Sequence, residues 1–205
     1  MAFKMRTITA IDDDSKHDTH SATLNLDRVL ERVMKMHDIG QVDRVIIISD
    51  GSAKEYKSAN SFAKKKLLAK KYKVAIFHHF YCTDDGKGLV DSIGNIFHSD
   101  YRKSIPDLKL RARNVFEVAE WMNKHKSEFG EDQWKNSRLI GKCRSFFAVS
   151  LKDTQEARKS GNPYNPISGV NGEGMLQTNY CYAFLTDDDN YLWVRESSCA
   201  GFIDL

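Results

Sequence analysis

Residues 44–91 read RVIIISDGSAKEYKSANSFAKKKLLAKKYKVAIFHHFYCTDDGKGLVD, and this stretch decides the fold. Val45 to Ile48 are consecutive β-branched residues that stop at Ser49-Asp50-Gly51. A short, wholly apolar run of this kind predicts a buried central strand that delivers a carboxylate to the rim of a sheet. Gly51 lets the backbone turn sharply straight after the acid. Residues 58–72 then read as a helix, and residues 73–81, β-branched and aromatic, as a second strand. A Gly86-Lys87-Gly88 turn follows, and Asp91 stands at the start of another helix. Asp50 and Asp91 are thus expected to approach one sheet edge from separate elements. Converging carboxylates on rigid elements suit a hard divalent metal, and two such ions can drive in-line attack on a phosphodiester.

Working outward, residues 3–11 alternate loosely as a strand that runs into Asp12-Asp13-Asp14, and residues 15–20 form a polar loop. Thr19 or Ser21 is the expected cap of the next helix. Leu26, Val29, Leu30, Val33, Met34 and His37 recur at the three- and four-residue spacing of an amphipathic helix. Gly40 is expected to close it. Downstream, residues 89–102 read as a helix that Pro106 ends. Residues 112–126 are a clearer one, with Val115, Val118, Ala119 and Met122 on one face. Residues 145–150 read as a strand and 153–159 as a helical turn. The Gly-, Asn- and Pro-rich stretch 160–174 reads as a linker. Tyr180–Thr186 and Tyr191–Glu196 flank Asp187-Asp188-Asp189-Asn190 as a β-hairpin. Strands alternating with helices argue for an α/β fold, a mixed sheet with helices on its faces. The expected division is a main domain over 1–160 and a small C-terminal β appendage over 161–205.

At 205 residues the chain suits one domain, or one domain with a small appendage, and can bury a core without disulfides. The net charge of +3 says little about partners. Its distribution says more, because Lys64, Lys65, Lys66, Lys70 and Lys71 concentrate positive charge on one helix. Such a helix offers a nucleic-acid backbone a partner, or is simply a solvated face. Cys82, Cys143, Cys181 and Cys199 stand far apart, which argues against a zinc site or disulfide framework and for a reducing compartment. No apolar stretch approaches the roughly 20 residues of a membrane span. The N-terminus lacks the apolar core of a signal peptide. The expectation is a nuclear or cytoplasmic protein with no membrane partner; a homo-oligomer is left open.

Each motif has a plainer alternative. Asp50 before Gly51 can serve only as a turn residue, and Asp91 only as a favourable charge on a helix N-terminus. Gly86-Lys87-Gly88 resembles a phosphate-cradling turn but lacks the full nucleotide-loop pattern. His78 and His79, adjacent on a strand, face opposite sides and cannot share one metal. His17, Asp18 and His20 sit in a polar loop where ligand-type residues also occur by chance. Asp187 to Asp189 are most simply turn residues.

Taken together, IDDDSKHDTHSA, IIISDGSAKEYKSANSF and FHHFYCTDDGKGLVDSIGN resemble a family of DDE-type transposase-like proteins carried by mobile elements and element-derived genes. The likeness covers nearly the whole chain, with Trp193 to Cys199 similar to the family's C-terminal β segment. It implies an RNase H-like fold in which carboxylates hold Mg2+ or Mn2+ for hydrolysis and strand transfer at DNA phosphodiesters. By position, Asp50 matches the acid of the SDG motif and Asp91 that of DGIGG. Asp13 or Asp14 matches the upstream loop acid, Asp18 the HDT aspartate, and Lys87 the phosphate-contacting lysine of HGKG. The implied metal ligands are Asp50, Asp91 and Asp14, and the implied DNA contacts are Lys87 and the lysines of 64–71. The sequence departs from the pattern at Glu55 for Gln, Asp85 for His, and DSIGN for DGIGG, and the expected basic residues come late, at Arg102 and Lys103. Only about nine residues precede the acidic loop, too few for a first hairpin of ordinary strand length. The expectation is therefore an RNase H-like core lacking its first strands, with a degenerate activity. The alternative is a non-catalytic nucleic-acid-binding or protein-interaction module on the same fold.

Overall fold

The computed structural model describes residues 6–37, 40–49, 52, 55–80, 102, 106, 113–125, 143–160, 181–184 and 193–195. The chain is mixed α/β, as the alternation of its periodic segments predicts. It forms two compact units, residues 1–15 with 87–155 and residues 16–86 with 156–205.

In the first unit, β1 (Arg6–Asp12) pairs in parallel with β4 (Cys143–Val149), Arg6 opposite Cys143 and Asp12 opposite Val149. Helix α3 (Val115–His125) buries Ala119 and Met122 against Phe146, with Ile11, Val118, Trp121 and Ala148 around them. Asn114 starts this helix by accepting the backbone N–H groups of Phe116 and Glu117, both at 3.0 Å. Asn123 turns its amide onto β4. Its Nδ2 donates to the Phe146 carbonyl at 2.8 Å, and its Oδ1 accepts the Phe146 N–H at 3.0 Å. Helix α4 (Leu151–Lys159) follows, its residues up to Gln155 in this unit and those from Glu156 in the other; it is opened by a reciprocal bond in which Ser150 Oγ accepts the Asp153 N–H and donates to the Asp153 carboxylate.

In the second unit the sheet order is β2 (Arg44–Ser49), β3 (Ala75–Phe80), β5 (Cys181–Phe184), β6 (Trp193–Arg195). β2 and β3 are parallel, and the other two pairings are antiparallel. β5 and β6, from the segment read as a hairpin, pair with each other, and β5 also pairs with β3. Helices α1 (Thr19–Met34) and α2 (Ala59–Tyr72) cover one face. Leu30, Phe62, Leu68, Ala69, Val74, Ile76 and Phe80 form the core there, with Val45 and Ile47 packed against it. The other face of β2 leaves Ile46 and Ile48 exposed. Tyr72 ties the helices together by donating to the Asp27 carboxylate at 2.6 Å, where Lys71 adds an ion pair.

Three local expectations are corrected. Val45 to Ile48, expected as a buried central strand, lie in β2 at one end of the described sheet order, covered on one face only, so that Ile46 and Ile48 are exposed. Asp18, not Thr19 or Ser21, caps α1; its side chain accepts the N–H groups of His20 and Ser21, and Ser21 Oγ accepts the Asp18 N–H in return. Helix α1 ends at Met34, so Gly40, at φ +74°, lies beyond its cap and does not close it. The helix expected over 89–102, the linker 160–174 and the turn 187–190 lie wholly or almost wholly outside the described residues. No described helix is long and apolar enough to cross a membrane.

Candidate functional site

The parallel register sets Ser49 opposite Phe80, so β2 and β3 end side by side. In sequence, Asp50-Gly51 follows the first strand directly and Tyr81 to Gly88 follows the second. Just inside this edge, Ser49 Oγ lies 2.8 Å from Nε2 of His78, which has no exposed surface. The Phe80 ring is 4.1 Å from the imidazole, and the Tyr56 ring stands edge-on to it at 5.9 Å. Lys57 holds its amine over the Phe80 ring at 4.9 Å. Burial, with the positive charge of Lys65, His79 and Lys57 nearby, pushes His78 down to about 2. A serine hydroxyl on an imidazole has the distance of a nucleophile–base pair, but a ring that resists protonation this strongly is a poor base.

The lysines expected as a cationic face divide. Lys64, Lys65 and Lys66 are buried, while Lys70 and Lys71 are exposed. Lys65 is the most enclosed, at 3 % exposed. Its amine donates to the Tyr56 carbonyl at 3.1 Å and to Ser61 Oγ at 2.6 Å, with the Phe62 ring 5.4 Å away. Burial holds this amine down to about 7. Ser61 is itself positioned by the α2 cap, since Ser58 Oγ accepts its N–H at 3.1 Å. Ser58 Oγ also meets Thr19 Oγ1 at 3.1 Å, which joins the starts of the two helices.

Lys64 belongs to a second polar group around the α1 cap. Its amine is 2.7 Å from His20 Nδ1, and the Ala157 carbonyl is 3.2 Å from the same nitrogen. With the ammonium as donor, Nδ1 is the acceptor, and the longer contact to the carbonyl is not a hydrogen bond. Burial lowers the Lys64 pKa; Asp18 opposes that shift and Arg158 adds to it. Asp18 Oδ2 accepts from Arg158 Nε at 2.8 Å. Burial raises the Asp18 pKa, but the Arg158 hydrogen bond and charge, with the Ser21 and His20 N–H groups, bring it below the ordinary aspartate value.

Of the acids assigned by the sequence, Asp50 and Asp91 lie outside the described residues, as does Lys87. Asp13 and Asp14 follow the end of β1 in the first unit. Asp13 is exposed, and Asp14 is buried with its N–H donated to Asp12 Oδ1 at 2.8 Å. Among the described residues no three metal-ligand side chains converge. Ser49 and Arg158 are the polar residues that sequence reasoning does not single out; Lys65, expected on a cationic face, is instead buried. Only for Ser49 was there a signal, its place beside Asp50 at the strand end.

A family model, a domain of unknown function (DUF8701), matches residues 2–148. The chain belongs to this family. The match takes in β1 to β3, α1 to α3 and nearly all of β4 of the DUF8701 chain, and its description assigns no activity. No curated protein and no solved structure matches the chain.

Proposed function

We propose that this DUF8701 chain derives from a DDE-type transposase-like protein of RNase H-like fold. In this reading the edge where β2 and β3 end is what remains of a metal-dependent site for DNA phosphodiesters. The observation that carries it is the pairing of Ser49 with Phe80. The two motif segments that most resemble the family, SDG and the TDDGKG run, come next in sequence after two neighbouring parallel strands. Loop and strand-end residues at the carboxyl edge of parallel strands are where α/β proteins bind ligands. Asp50 is the residue assigned to Mg2+ or Mn2+, and the ancestral reaction is hydrolysis and strand transfer. Glu55 and Asp85, where the family pattern has Gln and His, are departures that support a degenerate activity.

The test is thermal melting with and without millimolar Mn2+, on the wild type and on Asp50→Asn. A metal bound by the folded state at a hundredfold over its dissociation constant adds about 2.7 kcal/mol. An upward shift in the wild type that Asp50→Asn abolishes is the expected result. No shift in the wild type sinks the metal site, and a shift that survives in Asp50→Asn moves it elsewhere.

A further inference from the structure

Among the described residues, β2 has one face and one side open. Ile46 and Ile48 are 57 % and 49 % exposed, and Arg44, on the same face, is exposed as well. Their register partners on β3 are Ala75, Phe77 and His79, of which Phe77 and His79 are buried. The Arg44 guanidinium lies 5.4 Å from the Phe77 ring. This face of the sheet is therefore closed one strand further in, and it opens at the side of β2. Among the described residues β3 is the one strand paired with β2, and a single partner takes up one of a strand's two hydrogen-bonding sides. The ladder runs from Arg44 to Ser49 without a bulge, and the strand holds no proline and no lysine. Bulges, prolines and lysines are what commonly keep the margin of a sheet from taking another strand, and β2 has none of them.

One occupant matches this margin residue by residue, β2 of a second copy running antiparallel. Residues directly opposite in an antiparallel pair share a face, so the register must set exposed residues against exposed ones. About a two-fold axis through Ile47, Ile46 meets Ile48 of the second copy and Val45 meets Ser49. One residue further, Arg44 meets Asp50, which follows Ser49 in sequence. The stretch RVIIISD is thus complementary to itself, isoleucine opposite isoleucine on the open face and cation opposite anion at both ends. A slip of two residues either way sets Arg44 or Asp50 against an isoleucine. A slip of one turns the exposed isoleucines toward the helix-covered side of the other copy.

We infer that β2 is a self-association edge, through which two copies of this chain pair antiparallel in the register centred on Ile47 and join their sheets into one. The contact uses the same patch on both copies, so it closes at two. It needs no metal and stands apart from the reading of Asp50 as a metal ligand.

The experiment is sedimentation equilibrium of the full chain from micromolar concentration to about 1 mM, with a chelator and no added divalent ion. The wild type is expected to pass from monomer to dimer and no further. Arg44→Asp sets acid against acid at both ends of the pair, and Asp50→Arg sets base against base. Each alone should raise the dimer dissociation constant about tenfold or more. Mixed in equal amounts, the two variants place opposite charges together again at both ends, and they should form a heterodimer as strong as the wild-type dimer. Ile48→Lys, at an exposed position, puts a charge against Ile46 of the second copy and should weaken the dimer likewise. A wild type that stays monomeric or grows beyond a dimer overturns the inference. So do single variants that dimerise as the wild type does, or a mixture no stronger than its parts. As a readout that needs no variant, amide exchange along β2 of the wild type should slow as protein concentration rises. Exchange that ignores concentration overturns the inference equally.

Discussion

Asp18 and Arg158, 140 residues apart in the chain, meet through a 2.8 Å bond between the Asp18 carboxylate and the Arg158 guanidinium. The same carboxylate caps α1, so one side chain holds a local turn and a long-range contact. Asp18→Ala removes both and is expected to cost about 1–2 kcal/mol from the cap alone. Arg158→Ala keeps the cap and should cost about 0.5–1 kcal/mol, because the pair is partly exposed. Urea denaturation of both single mutants and the double mutant should show coupling; strict additivity would mean the contact contributes nothing. Asp18 sits below its ordinary pKa of 3.8, so its contribution is present above that value and is lost as pH falls through the lower folded-state pKa.

Lys65 makes the same demand on pH in a higher range. Its amine falls from 10.5 to about 7 in the folded chain, so between those values the unfolded state holds a proton that the folded state has released. Stability should therefore rise with pH across that window, by at most about 1.4 kcal/mol per unit. His78 acts likewise further down, stability falling as pH drops from 6.5 toward about 2. Denaturation curves of Lys65→Met should lack the alkaline rise and keep the acid loss. A wild type with no alkaline rise would show that the amine is not buried.

Tyr72→Phe deletes the hydroxyl that donates to the Asp27 carboxylate at 2.6 Å and touches its backbone carbonyl at 3.0 Å. The ring stays in the core cluster, so the expected loss is about 1–2 kcal/mol, that of one charge-assisted bond. Asp27 keeps its Lys71 partner. Amide exchange in α1 and α2 should quicken together; quickening confined to one helix would count against Tyr72 as the tie.

Lys73, which ends α2, has φ of 54° and is the one described non-glycine residue at positive φ. A side chain in this left-handed conformation costs about 1 kcal/mol that glycine does not. Lys73→Gly should therefore be stabilising by roughly 0.5 kcal/mol, the gain trimmed by the freer unfolded glycine. A loss of more than that in thermal melting would mean the Lys73 side chain has a favourable role of its own.

The parts of this fold that were legible in sequence are those whose physics is local. Val45 to Ile48 and Ala75 to Phe80 have the branched and aromatic composition of strands, and both form them, although composition alone did not show that β2 is covered on one face only. Leu26, Leu30 and Met34 fall on one side of a helix, and all three reach the core. The D-x-x-S pattern of a capping box is present at Asp18 and Ser21, but Thr19 and Ser21 carry the same cap signal in sequence. The burial of Lys64, Lys65 and Lys66 was not legible. Three adjacent lysines cannot share a helical face, and what encloses them is remote, a Tyr56 carbonyl before the helix and a histidine on α1. The pairing of β5 with β3 was equally hidden, because antiparallel register between distant strands leaves no mark in either one.

The amide of Asn123 has a consequence for how this protein keeps to itself. A strand with an open side can template growth by any extended chain that finds it. On the side of β4 at Phe146, Asn123 already presents a carbonyl and an N–H at the spacing a neighbouring strand would offer. An invading strand must first displace a helix-borne side chain, so this position resists polymerisation.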